Sequence, residues 1–97
     1  MSFIQIIEYE TDRPDEMQAL GDKRMHEMNG KAPFNQLFVT QDRDKPNHYL
    51  TIVEFDSYDK AMENSKSPDQ QHWAEQMAAL CSKPPKFYNL DVQTTAP

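Results

Sequence analysis

His48–Phe55, HYLTIVEF, is the stretch that decides how this chain folds. Tyr, Thr, Ile, Val and Phe suit a pleated, half-buried strand. Successive side chains of a strand point to opposite faces. Tyr49, Thr51, Val53 and Phe55 therefore share one face, and His48, Leu50, Ile52 and Glu54 share the other. Apolar residues on both faces imply that both are at least partly covered. Helices of the same chain can cover one face. A second copy of the chain is the economical cover for the other, so a homodimer through Leu50 and Ile52 is expected.

Upstream, Gln41–Asn47 (QDRDKPN) is charged and ends in Pro-Asn, the composition of a hairpin connection. Gln36–Thr40 (QLFVT) reads as its partner strand. Asn29-Gly30 is a helix stop. It closes a helix from about Arg13 to Met28 with Met17, Leu20, Met25 and Met28 on a helical stripe. Asp12 is the expected N-cap, Pro14 fits the first turn, and Asp15 and Glu16 favour the positive end of the helix dipole. Phe3–Tyr9 (FIQIIEY) is the first strand.

Downstream, Ser57 caps a short helix over Tyr58–Ser65, and Ser67-Pro68 interrupts it. A further helical piece runs from about Asp69 to Cys81, with Trp73, Met77, Leu80 and Cys81 along one face. Pro84-Pro85 forces an extended exit into the last strand, Lys86–Val92 (KFYNLDV). The order is β-α-β-β-α-β. This is the ferredoxin-like α+β arrangement, a four-stranded antiparallel sheet with helices on one face. Residues 1–92 form one expected domain, and Gln93–Pro97 a polar tail.

Composition narrows the function classes. The chain has 97 residues, 37% hydrophobic, with 10 Lys and Arg against 16 Asp and Glu and a net charge of −6. Nucleic-acid binding needs a basic footprint, so neither that nor an anionic membrane surface is an expected partner. No apolar run approaches the roughly 20 residues of a spanning helix. The N-terminus reads as a strand rather than a signal peptide. Cys81 is the lone cysteine, which suggests a reducing compartment and hence the cytoplasm.

No self-sufficient catalytic motif occurs. His26, His48 and His72 lack metal-ligand spacing, so no metal is expected. Two glycines and no G-x-S-x-G leave neither a phosphate loop nor a nucleophile elbow. Cys81 and His72 are about two and a half helical turns apart, too far to pair, and Cys81 reads as a small core residue. His72-Trp73 carries two readings. The pair is either a core tryptophan with a rim histidine, or part of a cavity between helix and sheet. In the second case Trp73, Met77, Phe55, Thr51 and Tyr49 line the cavity for a planar ligand. His72 at its rim is then the candidate catalytic proton carrier.

Val53–Leu90 (VEFDSYDKAMENSKSPDQQHWAEQMAALCSKPPKFYNL) resembles the second half of antibiotic-biosynthesis-monooxygenase-like proteins. The shared features are the acidic-aromatic strand end, the Ser before the helix, the alanine one turn in, the Ser-Pro break and the Pro-Pro entry to the last strand. With Phe3–Asp12 added, the resemblance covers most of the chain. It implies a dimeric α+β barrel whose substrates sit between helices and sheet. It also implies oxidation of aromatic polyketides or quinols with no metal or flavin cofactor; some relatives degrade haem with a histidine in the region of His72. Four pocket positions of the polyketide-oxidising members fall on Thr51, Phe55, Met62 and Ala74, and each residue differs from the family's. The resemblance places Tyr49, Thr51, Val53 and Phe55 on the helix side. Three functions stay open: a cofactor-independent monooxygenase acting on a planar aromatic, a non-catalytic small-molecule-binding dimer, or an interaction protein without a pocket.

Overall fold

The computed structural model describes residues 2–97. Seven elements follow the expected order. They are β1 (Phe3–Glu10), α1 (Pro14–Met28), β2 (Gln36–Gln41), β3 (His48–Phe55), α2 (Tyr58–Ser65), α3 (Pro68–Leu80) and β4 (Lys86–Asp91). The strands form one antiparallel sheet in the order β2-β3-β1-β4. Tyr9 pairs with Tyr49 across β1 and β3, and Ile7 with Thr51. That register puts Phe3, Ile7, Tyr9, Thr51, Val53 and Phe55 of the two central strands on the helix side.

Local chemistry accounts for most boundaries. Asn29 ends α1 in the left-handed conformation at φ 47°, followed by Gly30 at φ 77°, which only glycine and a few polar residues adopt cheaply. The Ser57 hydroxyl accepts from the Lys60 N–H at 3.2 Å, and the Ser67 hydroxyl from the Gln70 N–H at 3.2 Å. Each satisfies an orphan donor of a first turn. The Ser67-Pro68 break thus becomes a new helix start, with Pro68 at the position where its missing N–H is harmless.

Three strand ends differ from expectation by one residue, with β1 running to Glu10, β2 to Gln41 and β4 stopping at Asp91, and two helix ends differ in their chemistry. Asp12 does not cap α1, which begins after Arg13 without a side-chain cap. Instead Asp12 accepts from the Asn47 amide at 3.2 Å, tying the β1 exit to the hairpin. The residue that organises this corner is Thr11, fully buried. Its hydroxyl donates to the Leu80 carbonyl at 2.6 Å and accepts from the Arg13 N–H at 3.0 Å. Cys81 lies just beyond α3 rather than within it, in extended conformation. Its thiol donates to the Met77 carbonyl at 3.3 Å.

Two apolar clusters fill the helix side of the sheet. Phe3, Val53, Phe55 and Ala61 form one under α2, with Phe34, Leu37 and Met62 against it. Ile7, Tyr9, Met17 and Met77 form the other, joined by Leu20, Tyr49 and Trp73. On the opposite face, Phe38, Ile52, Ile6 and Tyr88 make one row across all four strands. Ile4, Leu50 and Leu90 flank it. No element among the described residues covers this face, and Phe38 and Leu90 are 54% and 42% exposed. No helix among the described residues is long and apolar enough to cross a membrane.

Candidate functional site

Between the helices and the sheet lies a cavity of about 490 Å³. Its origin is a packing mismatch. Helix α1 leans on α3 rather than settling onto the strands. Its inward stripe passes through Met17, Gly21, Arg24 and Met28, all lining the space. Gly21 contributes no side chain, and a Cβ built there meets nothing within 4 Å. Val39, which pairs with Thr51 and so faces the helix side, remains 66% exposed. The space left under α1 is floored by Ile7, Tyr9, Tyr49, Thr51, Val53 and Phe55, and bounded on α3 by Gln70, Trp73 and Met77.

The walls are mostly apolar, with a few placed polar groups. Tyr9 and Tyr49 stack with centroids 5.5 Å apart and planes inclined by 13°, as a directly opposed cross-strand pair allows. Burial pushes the Tyr9 phenol above its ordinary range, and a bond with the Thr51 hydroxyl partly offsets this. Asp22 and Arg24 are the only acid and the only base among the described lining residues. Arg24 donates from Nε and Nη2 to the Gln70 side-chain oxygen at 3.3 and 3.1 Å, bridging α1 to α3. The indole N–H of Trp73 is buried and has no acceptor among the described residues. An unsatisfied buried donor costs about 1–3 kcal/mol, and this one is enclosed by protein rather than open to the cavity.

Of the residues expected to line the cavity, Tyr49, Thr51, Phe55, Trp73 and Met77 do so together. His72 does not. It precedes Trp73 by one residue, about 100° round the helix, and is exposed on the outer side of α3. Met62 is also off the cavity wall, packed instead against the cluster of Phe3, Val53, Phe55 and Ala61. Gly21, Arg24 and Gln70 also line the cavity, outside the sequence expectation. Gly21 and Arg24 sit at helical spacing from Met17 and Met28, and Gln70 precedes Trp73 by three. That periodicity was available, but polar and side-chain-free residues give no apolar signal.

A second polar constellation lies on the open sheet face. His48 Nε2 is 2.9 Å from a Glu8 carboxylate oxygen, and its Nδ1 is 3.2 Å from Glu10. The Tyr88 hydroxyl donates to Glu8 at 2.8 Å, Lys83 pairs with Glu10 at 3.2 Å, and the Lys86 ammonium lies over the Tyr88 ring. Bonding to Glu8 raises the His48 pKa above its ordinary value. Bonds from His48 and Tyr88 lower that of Glu8, and the bond from Lys83 leads the lowering of Glu10. No group of three or more His, Cys, Asp or Glu side chains is placed to hold a metal among the described residues.

This architecture has counterparts among solved structures. SnoaB, a cofactor-independent oxygenase from Streptomyces nogalater, superposes with a TM-score of 0.82 at 16% identity, over 99% of this chain and 97% of that one. The chain has the antibiotic-biosynthesis-monooxygenase fold. Rv0793 from Mycobacterium tuberculosis matches with a TM-score of 0.80 at 17% identity over the whole of both chains. A further antibiotic biosynthesis monooxygenase matches at 0.77 and 10% identity, over 97% of this chain and 100% of that one. No protein-family model and no curated protein matches the sequence. At these identities the likeness is one of fold.

Proposed function

We propose that the chain binds a flat aromatic molecule between α1, α3 and the sheet, and oxidises it with dioxygen without metal or flavin. The cavity carries this reading. Its volume of about 490 Å³ lies within the roughly 300–1,000 Å³ of small-molecule sites, and its walls include Tyr9, Tyr49, Phe55 and Trp73. The fold neighbour described as a cofactor-independent oxygenase supports the reaction class. In that reaction a ring CH2 gives up two hydrogens and gains one oxygen atom as a carbonyl. The second oxygen atom leaves with those hydrogens as water, so dioxygen is consumed one to one. The test is an oxygen-electrode assay with anthrone on metal-free protein. Uptake above the protein-free rate is expected, and uptake equal to it removes the oxygenase reading.

A second reading, a non-catalytic binder, is favoured by one observation. The titratable groups among the described lining residues are Asp22, Arg24, Tyr9 and Tyr49. No histidine or cysteine is among them, and burial moves the Tyr9 phenol above its ordinary range. His72, on the outer side of α3, is the proton carrier of the first reading only if a substrate extends past the helix. Ligand binding by calorimetry without oxygen uptake selects this second reading.

In either case we propose that a second copy covers the open sheet face through Phe38, Leu50 and Ile52, closing a dimeric α+β barrel. The lone cysteine, Cys81, fits a reducing cytoplasmic setting.

A further inference from the structure

We infer that the methionines of α1 make the cavity permissive about the outline of its ligand, so that flat ring systems of different shape bind with similar affinity. The inference rests on the proposal that the cavity binds a planar aromatic, and adds which aromatics the site tells apart.

The two sides of the cavity are built differently. Its floor comes from the paired central strands, where Ile7, Tyr9, Thr51, Val53 and Phe55 are buried. Tyr9 stacks on Tyr49 within that floor. Close-packed side chains sit in single rotamer minima, so the floor is a fixed surface against which a flat ring can lie.

The side under α1 is rich in methionine. Met17, Met25 and Met28 on α1 and Met77 on α3 all line the cavity, four of the six methionines in the chain. Met17 and Met77 belong to the core cluster that holds Ile7 and Tyr9. Met25 and Met28 stand outside it, Met25 exposed and Met28 half-buried. Among the described residues, one pair of side chains hydrogen-bonds their half of α1 to another element, Arg24 with Gln70. Met25 and Met28 are therefore free to change rotamer without disturbing the core.

Methionine suits that position chemically. Its unbranched side chain has three rotatable bonds and fills irregular gaps, and its sulfur makes favourable contacts at the edge of an aromatic ring. Two such side chains follow the edge of whatever ring system rests on the floor. Leucine has a similar volume, but it is branched and has fewer rotatable bonds, so it holds one outline. Met62, packed in the other apolar cluster and off the cavity wall, serves as an internal reference.

The experiment compares 1-naphthol with 2-naphthol, which share one formula and one fused ring system and differ in outline. Titration calorimetry gives the affinities, and protein labelled with 13C at the methionine methyls gives the contacts. Wild type is expected to bind the two isomers within about threefold of each other. Ring currents should shift the Met25 and Met28 methyls by different amounts for the two isomers and leave Met62 unmoved. The double variant Met25→Leu, Met28→Leu keeps good helix formers at both positions and should open the difference between isomers to about tenfold. The wild-type resonances decide the matter even where the variant does not fold. A larger than threefold preference in wild type, unshifted Met25 and Met28 methyls, or a variant as indifferent as wild type each overturns the inference and leaves the aromatic cavity standing. Binding of neither isomer overturns both.

Discussion

Replacing Gly21 tests whether the space beneath α1 is real. Gly21 lies in the interior of a 15-residue helix, where glycine costs about 0.8–1.0 kcal/mol relative to alanine. Nothing lies within 4 Å of the Cβ that Gly21→Ala would add, so no packing penalty opposes the gain. The helix ends with ordinary signals of its own and does not need a flexible residue at this point. Gly21→Ala should therefore stabilise the protein by about 1 kcal/mol, equivalent to a rise of about 4–8 °C in Tm for a domain of this size. Gly21→Leu extends the test. Leucine is also a good helix former, but its side chain projects into the cavity lined by Met17, Thr51 and Trp73. Stability should rise at least as far as with alanine, because apolar surface is buried in open space. Aromatic-ligand affinity should fall at least about tenfold, since leucine and ligand compete for one volume. Scanning calorimetry and ligand titration read the two effects on the same samples. A fall in Tm for Gly21→Ala would mean that the helix sits closer to the sheet than described, and the cavity would be lost with it.

Three further outcomes follow from the remaining sites. His48 has a raised pKa and Glu8 and Glu10 lowered ones; the histidine's contribution is complete below its ordinary 6.5 and is lost as pH rises through its folded value. The carboxylates' contribution is present above their ordinary 4.5 and is lost as pH falls through their folded values. Wild type should therefore exceed His48→Gln in Tm most between about pH 4.5 and 6.5, and a difference that grows above pH 8 would contradict the assignment. Leu50→Asp puts an unpaired charge on the face proposed for the partner copy, so sedimentation velocity should show a dimer for wild type and monomer for the variant; a wild-type monomer at micromolar concentration removes the dimer. Cys81→Ala loses one weak hydrogen bond to Met77 and a small half-buried side chain, so denaturant titration should find a cost of about 1 kcal/mol or less, with a larger loss pointing to a role beyond packing.

Much of the fold was legible because its signals are local. The alternation in His48–Phe55 separated the two sheet faces, and Thr51, Val53 and Phe55 are the residues buried under the helices. Asn29-Gly30 and the two serine caps act through backbone geometry and single hydrogen bonds, so a few residues suffice to recognise them. Asp12 shows where local signals fail. It has the side chain of a cap, but the Asn47 amide, 35 residues away, holds it. Thr11 bonds to the Leu80 carbonyl across 69 residues. Neither partner is visible from the neighbourhood of either residue.

The cavity was legible from the strand side and obscure from the helix side, and the reason is physical. A strand exposes alternate residues to one face whatever packs on it, so Tyr49, Thr51 and Phe55 were bound to share a wall. A helix turns its residues through 100° each, and which arc meets the sheet depends on how it leans on its neighbours. Helix α3 turns Gln70, Trp73 and Met77 inward, which sends His72 out. Helix α1 leans on α3 and turns inward a glycine and an arginine that apolar periodicity passes over. Those two residues give the site its character. Gly21 leaves the volume, and Arg24, bonded to the neutral Gln70 oxygen, leaves the charge. A cavity filled by two more leucines at these positions would have been easier to read as core, and would have had no room and no polarity for a ligand.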